Sequence, residues 1–219
     1  MAHVVIIGSG IAGLFTACKL ADAGHEVTVV TKQRPKDSST NWAQGGIAAI
    51  LDKTNEDGME SHDQDTLKSG DDACDEDVVR SIISEAGERI VDLINIGVEF
   101  EKHKDGTYAL IREGGHSTER ILHAKDATGR EIERALTSYA DSHANIAMKP
   151  NTLAIDLIQR RHGQPSQGGS GGLVPGPGHT RGVDVGSRRR DFGDGRCWAT
   201  LEGNDQPKRG YRRRFGHGL

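Results

Sequence analysis

Val4-Val5-Ile6-Ile7-Gly8-Ser9-Gly10-Ile11-Ala12-Gly13 is the stretch whose reading decides the fold. Four consecutive β-branched apolar residues suit a strand buried on both faces, which we expect at the centre of a sheet. The glycines then open a helix whose apolar face carries Leu14, Phe15, Ala17, Cys18, Leu20 and Ala21 and which Gly24 stops. His25 to Thr31 reads as a second strand. Strand, glycine turn, helix and strand within about 30 residues form the context in which Gly-x-Gly-x-x-Gly binds a dinucleotide. Gly8 permits the tight turn, Gly10 lets a pyrophosphate approach the backbone, and Gly13 lets the helix pack closely on the strand. Ser9, Ile11 and Ala12 complete the turn, with the helix N-terminus facing the phosphates. The acid expected at the end of the second strand is missing, since Val29-Val30-Thr31-Lys32 ends in a hydroxyl and a cation. Lys32 either faces the adenosine side of the ligand or is a solvated lysine, and the local pattern leaves both open.

The 219 residues divide into two unlike regions. Residues 160–219 hold 15 of the 29 glycines and carry 11 arginines and one lysine against five acids, a charge of +7. Residues 1–159 have a charge of -11 and ordinary apolar patterning. A run of about 18 apolar residues, which a spanning helix needs, does not occur. The apolar stretch after Met1 lacks a basic leader and runs into glycines, which argues against a secretory signal. Cys18, Cys74 and Cys197 are too few and too far apart for a disulfide scaffold or a zinc knuckle. We expect a cytoplasmic protein with no metal, membrane or nucleic-acid partner.

Beyond the first unit, Ser38-Ser39-Thr40-Asn41-Trp42-Ala43-Gln44-Gly45-Gly46-Ile47-Ala48-Ala49 puts four small polar residues before a paired glycine and an apolar strand. Small side chains there admit a flat ligand. Ser61-His62-Asp63-Gln64-Asp65-Thr66 begins a helix, and Asp75-Glu76-Asp77 opens another, whose buried face we expect to be Val78, Val79, Ile82, Ile83, Ala86, Ile90, Leu93 and Ile94, with Gly97 ending it. A helix from Thr128 to His143 buries Ile132, Ala135, Leu136 and Tyr139, so Arg130, Glu131 and Glu133 read as its solvated face. Ile146 to Met148 and Leu153 to Ile158 read as short strands about a turn at Lys149-Pro150-Asn151.

These motifs resemble one family. Thr31-Lys32, the Ser-Ser-Thr run, Ala43-Gln44-Gly45-Gly46-Ile47-Ala48 and the His62 to Thr66 segment are similar to those of the fumarate reductase, succinate dehydrogenase and L-aspartate oxidase flavoproteins. Arg112-Glu113-Gly114-Gly115-His116-Ser117, with Arg120-Ile121-Leu122-His123-Ala124-Lys125-Asp126-Ala127-Thr128-Gly129, resembles the L-aspartate oxidase members in particular. In that group a Thr-Lys ending often replaces the ribose acid. The resemblance implies an α/β fold: an incomplete Rossmann-like FAD-binding domain of doubly wound type, with the start of an α+β substrate-binding capping insertion. It implies FAD held at Gly8 to Gly13, Lys32, and Ser39 to Gly46. Quinone-linked members attach flavin through a His that aligns with Ser39, so FAD here is expected to be non-covalent. The resemblance also gives Glu113 the substrate amine, because a carboxylate pairs with an ammonium that succinate lacks. The activity implied is oxidation of L-aspartate to iminoaspartate in NAD biosynthesis, with oxygen or fumarate as electron acceptor and quinolinate synthase as pathway partner. Two other readings stay open: a fumarate reductase-like flavoprotein, and a non-catalytic flavin-binding module with a basic tail. His116 and His123 are either functional or structural.

The basic end reads as a displaced frame. Advanced by one base, Phe192 to Trp198 permits Leu-Ala-Thr-Gly-Gly-Ala-Gly, a strand ending that the family uses to return to its flavin. Glu202 to Lys208 and Gly210 to Gly218 permit further family segments in the same frame. Arg181-Gly182-Val183-Asp184-Val185 looks like a family strand as written. We therefore expect in-frame sequence over 1–185 and an out-of-frame, disordered tail over 186–219, the shift lying between Gln167 and Arg188. Such a chain would hold cofactor positions and Glu113 but not a complete active site. Resequencing the coding DNA from codon 155 onward is expected to reveal one base whose insertion or removal restores Ala-Thr-Gly-Gly and a long downstream frame. Confirmation of the written frame, with no coding remainder downstream, rejects the shift.

Overall fold

The computed structural model describes residues 2–52, 54–71 and 73–155, and the backbone of two short strands at 171–173 and 183–185. The expected out-of-frame tail and residues 156–158 of the expected last strand lie outside the described residues. The chain runs β1 (His3–Ile7), α1 (Ile11–Asp22), β2 (Glu26–Val30), α2 (Ser39–Trp42), β3 (Ile47–Ala48), α3 (Glu56–Gly70) and α4 (Glu76–Ile96). It continues through β4 (Leu110–Ile111), β5 (Ile121–Leu122), α5 (Thr128–Ser142), β6 (Ile146–Lys149), β7 (Gly171–Leu173) and β8 (Val183–Val185).

The first sheet is parallel, in the order β1-β2-β6, with His3 opposite Glu26 and Val27 opposite Ile146. A second sheet, β3-β5-β4, is antiparallel, and β7 pairs with β8. Among the described strands β2 lies between β1 and β6, and the expected central place of β1 turns on residues outside those described. Among the described residues the other edge of β1 has no strand partner, and Val4, Val5 and Ile7 are only half-buried. The doubly wound beginning is otherwise as expected: β1, α1 and β2 occupy the predicted stretches.

One face of this sheet is covered by α1, through Leu14, Ala17, Cys18 and Ala21, and by α5, through Ile132, Ala135, Leu136 and Ala140. Ile90, Leu93, Val98 and Phe100 bring the C-terminal half of α4 and the chain after it into the same core. Burial pushes the Cys18 thiol up to about 12, with Asp22 adding to the effect, so it is a packing residue and not a nucleophile.

Three expectations about helices need correction. α3 starts at Glu56, before Ser61, because Asn55 caps it by accepting the Gly58 N–H at 2.9 Å. α4 begins on its Asp75 cap and ends at Gly97 (φ 110°) as read, yet Val78 and Ile82 are 52% and 64% exposed. The reason is that only the second half of α4 reaches the sheet-side core, whereas its first half meets α3 through polar groups such as Arg80 and Asp63. On α5, Glu133 is buried and not solvated, because α2 packs over that face. The expected strand from Leu153 is irregular as far as residue 155.

Where α5 starts, backbone lies on backbone. Gly129 donates its N–H to the Ala43 carbonyl at 3.1 Å, and a Cβ on Gly129 would stand 1.9 Å from the Thr40 carbonyl oxygen. Gly129→Ala is therefore expected to destabilise the chain by about 1–3 kcal/mol, the usual range for forced overpacking. Thermal unfolding checks this: Tm should fall by several degrees, and an unchanged Tm would contradict the close approach.

Candidate functional site

The site begins at the turn between β1 and α1. Gly8 has φ 107° and donates its N–H to the Val30 carbonyl, so the turn closes on the end of β2. A Cβ on Gly13 would lie 2.2 Å from the Gly8 carbonyl oxygen, which makes the third glycine obligatory for this packing. Gly10 caps α1 without a side-chain bond, and no acid occupies the first turn. With no acid in that turn, the helix dipole favours an anion at this end. These features fit a dinucleotide pyrophosphate, the group that the turn was expected to hold.

Ser9 does something else. It is buried, with its hydroxyl 2.9 Å from Thr31 Oγ1 and 3.1 Å from the Pro35 carbonyl, tying the turn to the chain beyond β2. Ile11 and Ala12 open α1, and the Ile11 N–H is accepted by Thr40 Oγ1 at 3.0 Å. This bond joins the two clusters that the sequence kept apart. Lys32 is exposed just beyond β2.

The second cluster is fixed by burial beneath it. Ser38 caps α2 by accepting the Asn41 N–H at 3.3 Å, and it donates to Glu133 Oε2 at 3.0 Å. Ser39 and Thr40 therefore leave the cap in a set direction. Trp42, Ala43, Gln44 and Gly45 are exposed, forming a ledge that leads from Thr40 to Gly46. A Cβ on Gly46 would approach Ile121 Cγ2 within 2.3 Å and the Leu122 carbonyl oxygen within 2.4 Å, so β3 can enter its sheet only through glycine. At this end the Gly46 N–H is accepted by Glu113 Oε1 at 3.0 Å, which brings the candidate catalytic acid to the Ala-Gln-Gly-Gly segment.

Behind Glu113 lies a polar cluster of Asp65, Ser117, Arg120, His62 and His116. Arg120 is 1% exposed and donates to Asp65 Oδ2 at 2.7 Å. Asp65 also accepts the Ser117 N–H, and these bonds, that of Ser117 first, hold its carboxyl well below the usual range. His62 is buried against His116, with ring centroids 5.6 Å apart. Burial, then the Arg120 and His116 charges, lower its pKa to about 4. The sequence assigned Arg120 no place and read Glu133 as solvated, because single charged residues at an element's start or on a helix look solvent-facing; only their partners put them inside. Among the described residues, no group of acids, histidines and cysteines is arranged to hold a metal ion.

With this geometry in view, comparison with known proteins is informative. The family described as FAD binding domain matches residues 3–190. The chloroplastic L-aspartate oxidase of Oryza sativa subsp. japonica is 47% identical over 154 residues, covering 70% of this chain and 23% of that protein. The L-aspartate oxidase of Vibrio cholerae is 46% identical over 160 residues, covering 71% and 29%. A solved E. coli quinol fumarate reductase superposes with a TM-score of 0.69 at 27% identity, covering 79% of this chain and 28% of that one. The chain thus spans about a quarter to a third of the length of the curated relatives it matches. Among the described residues, no helix is long and apolar enough to cross a membrane.

The His62 environment sets a pH dependence. Unfolded, this imidazole takes its proton near 6.5; folded, it does so only at about 4. The unfolded state therefore binds more protons between those values, and stability falls as pH drops from about 6.5 to about 4. Urea midpoints at pH 7 and pH 5 should differ in the parent chain and differ less in His62→Gln; an equal pH response in both would reject this assignment.

Proposed function

This chain belongs to the FAD binding domain family, and from that premise we propose that it is the FAD-binding part of an L-aspartate oxidase. That enzyme would oxidise L-aspartate to iminoaspartate, the first step of de novo NAD biosynthesis. The observation that carries the reading is Glu113, whose carboxylate is docked on the Gly46 N–H at the end of the ledge. The names of the relatives support it, as does the identity to L-aspartate oxidases, 43–48% against 27% for the fumarate reductase.

FAD fits the residues present. The turn from Gly8 to Gly13 would hold the pyrophosphate, Thr40 lies beside it through the Ile11 N–H, and Ser39 to Gly46 would line the flavin. Lys32 would face the adenosine side. Ser39 offers no imidazole for attachment, so the cofactor would be bound without a covalent link. Bound FAD would supply the acceptor for the two electrons of the Cα–H bond and pass them to oxygen or fumarate.

The protein's own contribution is recognition of the amine. Glu113 Oε1 is engaged by Gly46, which leaves Oε2 to accept an N–H from the substrate ammonium. Succinate, lacking the ammonium, would leave this carboxylate without its partner. We place the enzyme in the cytoplasm and regard quinolinate synthase as the consumer of its product. The division into 1–185 and a displaced-frame tail over 186–219 is part of the same proposal.

The frame-restored protein provides the test. With FAD bound, anaerobic L-aspartate should bleach the flavin, and Glu113→Gln should lower kcat/KM for L-aspartate at least 10-fold while leaving reoxidation by fumarate within about twofold. Flavin reduction by succinate as fast as by L-aspartate would overturn the reading in favour of a fumarate reductase-like enzyme.

A further inference from the structure

The nine residues 112–120 connect β4 to β5 and carry Glu113, yet Arg112 to Gly115 are all exposed. Apolar burial therefore does not hold this loop in place. Its position rests on polar anchors at two points. At one, Glu113 Oε1 accepts the Gly46 N–H. At the other, a single oxygen, Asp65 Oδ2 on α3, accepts the Ser117 N–H at 2.6 Å, the Ser117 hydroxyl at 2.8 Å and Arg120 Nη1 at 2.7 Å. Between the anchors the chain reverses: the His116 N–H donates to the Glu113 carbonyl at 3.3 Å, and Gly115 has φ 85°.

Arg120 extends the second anchor in both directions. Its Nη2 donates to Ser61 on α3 at 2.9 Å and to Thr118 in the loop at 2.7 Å, and its Nη1 lies 3.3 Å from His116 Nδ1. Each of these side-chain partners belongs either to α3 or to the loop. The Arg120 carbonyl meanwhile accepts the Ala49 N–H, fixing the residue beside the strand that Gly46 leads into. Burying a guanidinium is costly unless it is paired and hydrogen-bonded; here Nη1 and Nη2 are bonded while Nε is buried without a partner, and the pairing joins one helix to one exposed loop.

We propose that Asp65 and Arg120 form a clamp that positions Glu113, holding residues 113–117 against α3 so that the carboxylate meets the Gly46 N–H. Both are positioning residues, acting on Glu113 through the loop that carries it. The consequence for amine recognition rests on the function proposed above; the clamp itself does not.

Amide spectroscopy of the full 219-residue chain separates the two. Gly46 has no contact with Asp65 in the network above, so its amide resonance reads transmission through the loop. In Asp65→Asn that resonance should move toward its position in Glu113→Gln, and hydrogen exchange at Gly46 and 113–117 should quicken at least 10-fold. Exchange across β1, α1 and β2 should stay within twofold. Ser117→Ala, at an exposed position, should give a smaller change of the same pattern, and it decides the matter if Asp65→Asn does not fold. An unmoved Gly46 resonance in a folded variant overturns the clamp. Uniformly faster exchange throughout the chain also overturns it, showing a general stability role only. No substrate enters these measurements, so failure on L-aspartate leaves the clamp standing, and failure of the clamp leaves the aspartate test standing.

Discussion

Gly13 packed on the Gly8 carbonyl is the contact on which the rest depends, since a Cβ there would lie 2.2 Å from that oxygen. With no side chain between helix and turn, α1 lies against the sheet and its N-terminus faces the Ser39 to Trp42 segment. Thr40 can then reach the Ile11 N–H, and α2 becomes the second wall of the same site. Gly129 repeats the device from the other side, bringing α5 onto the backbone of Thr40 and Ala43. Two glycine contacts, remote in sequence, thus bring α1, α2 and α5 together around the candidate site.

Buried charge provides the next level of order. A core of Ile6, Leu14, Val29, Ile90 and Leu136 fills space without distinguishing one loop position from another. Glu133 beneath Ser38 and Arg120 beside Asp65 are directional, because each loses its water and must find particular partners. Both pairs stand behind site segments: the first under α2, the second behind the loop of Glu113. Exposed chain that would otherwise drift is therefore tied to the rigid part of the fold.

The apolar surface is unevenly covered. Val78 and Ile82 on the first half of α4 face outward, and β1 presents an edge with no strand partner among the described residues. In a complete doubly wound sheet helices cover both faces and strands flank the nucleotide strand, so these are the surfaces that further elements would cover. An open edge of this kind is also where unwanted strand pairing begins.

The elements with strong local signals were legible in the sequence. The first strand, glycine turn and helix, the helix start at Asp75-Glu76-Asp77 and the Gly97 stop all appear where they were read, because each depends on neighbours a few residues away. The resemblance pointed to Glu113, and the fold brought it to Gly46, 67 residues distant in sequence. What the sequence could not decide was which charged residues are inside. Glu133 looked solvated on a helical wheel, and Val78 and Ile82 looked buried on another, since periodicity finds a face without knowing what lies opposite it. Tertiary structure settles that by bringing α2 over α5 and only half of α4 onto the core, for burial is a property of the pair of surfaces and not of either sequence alone.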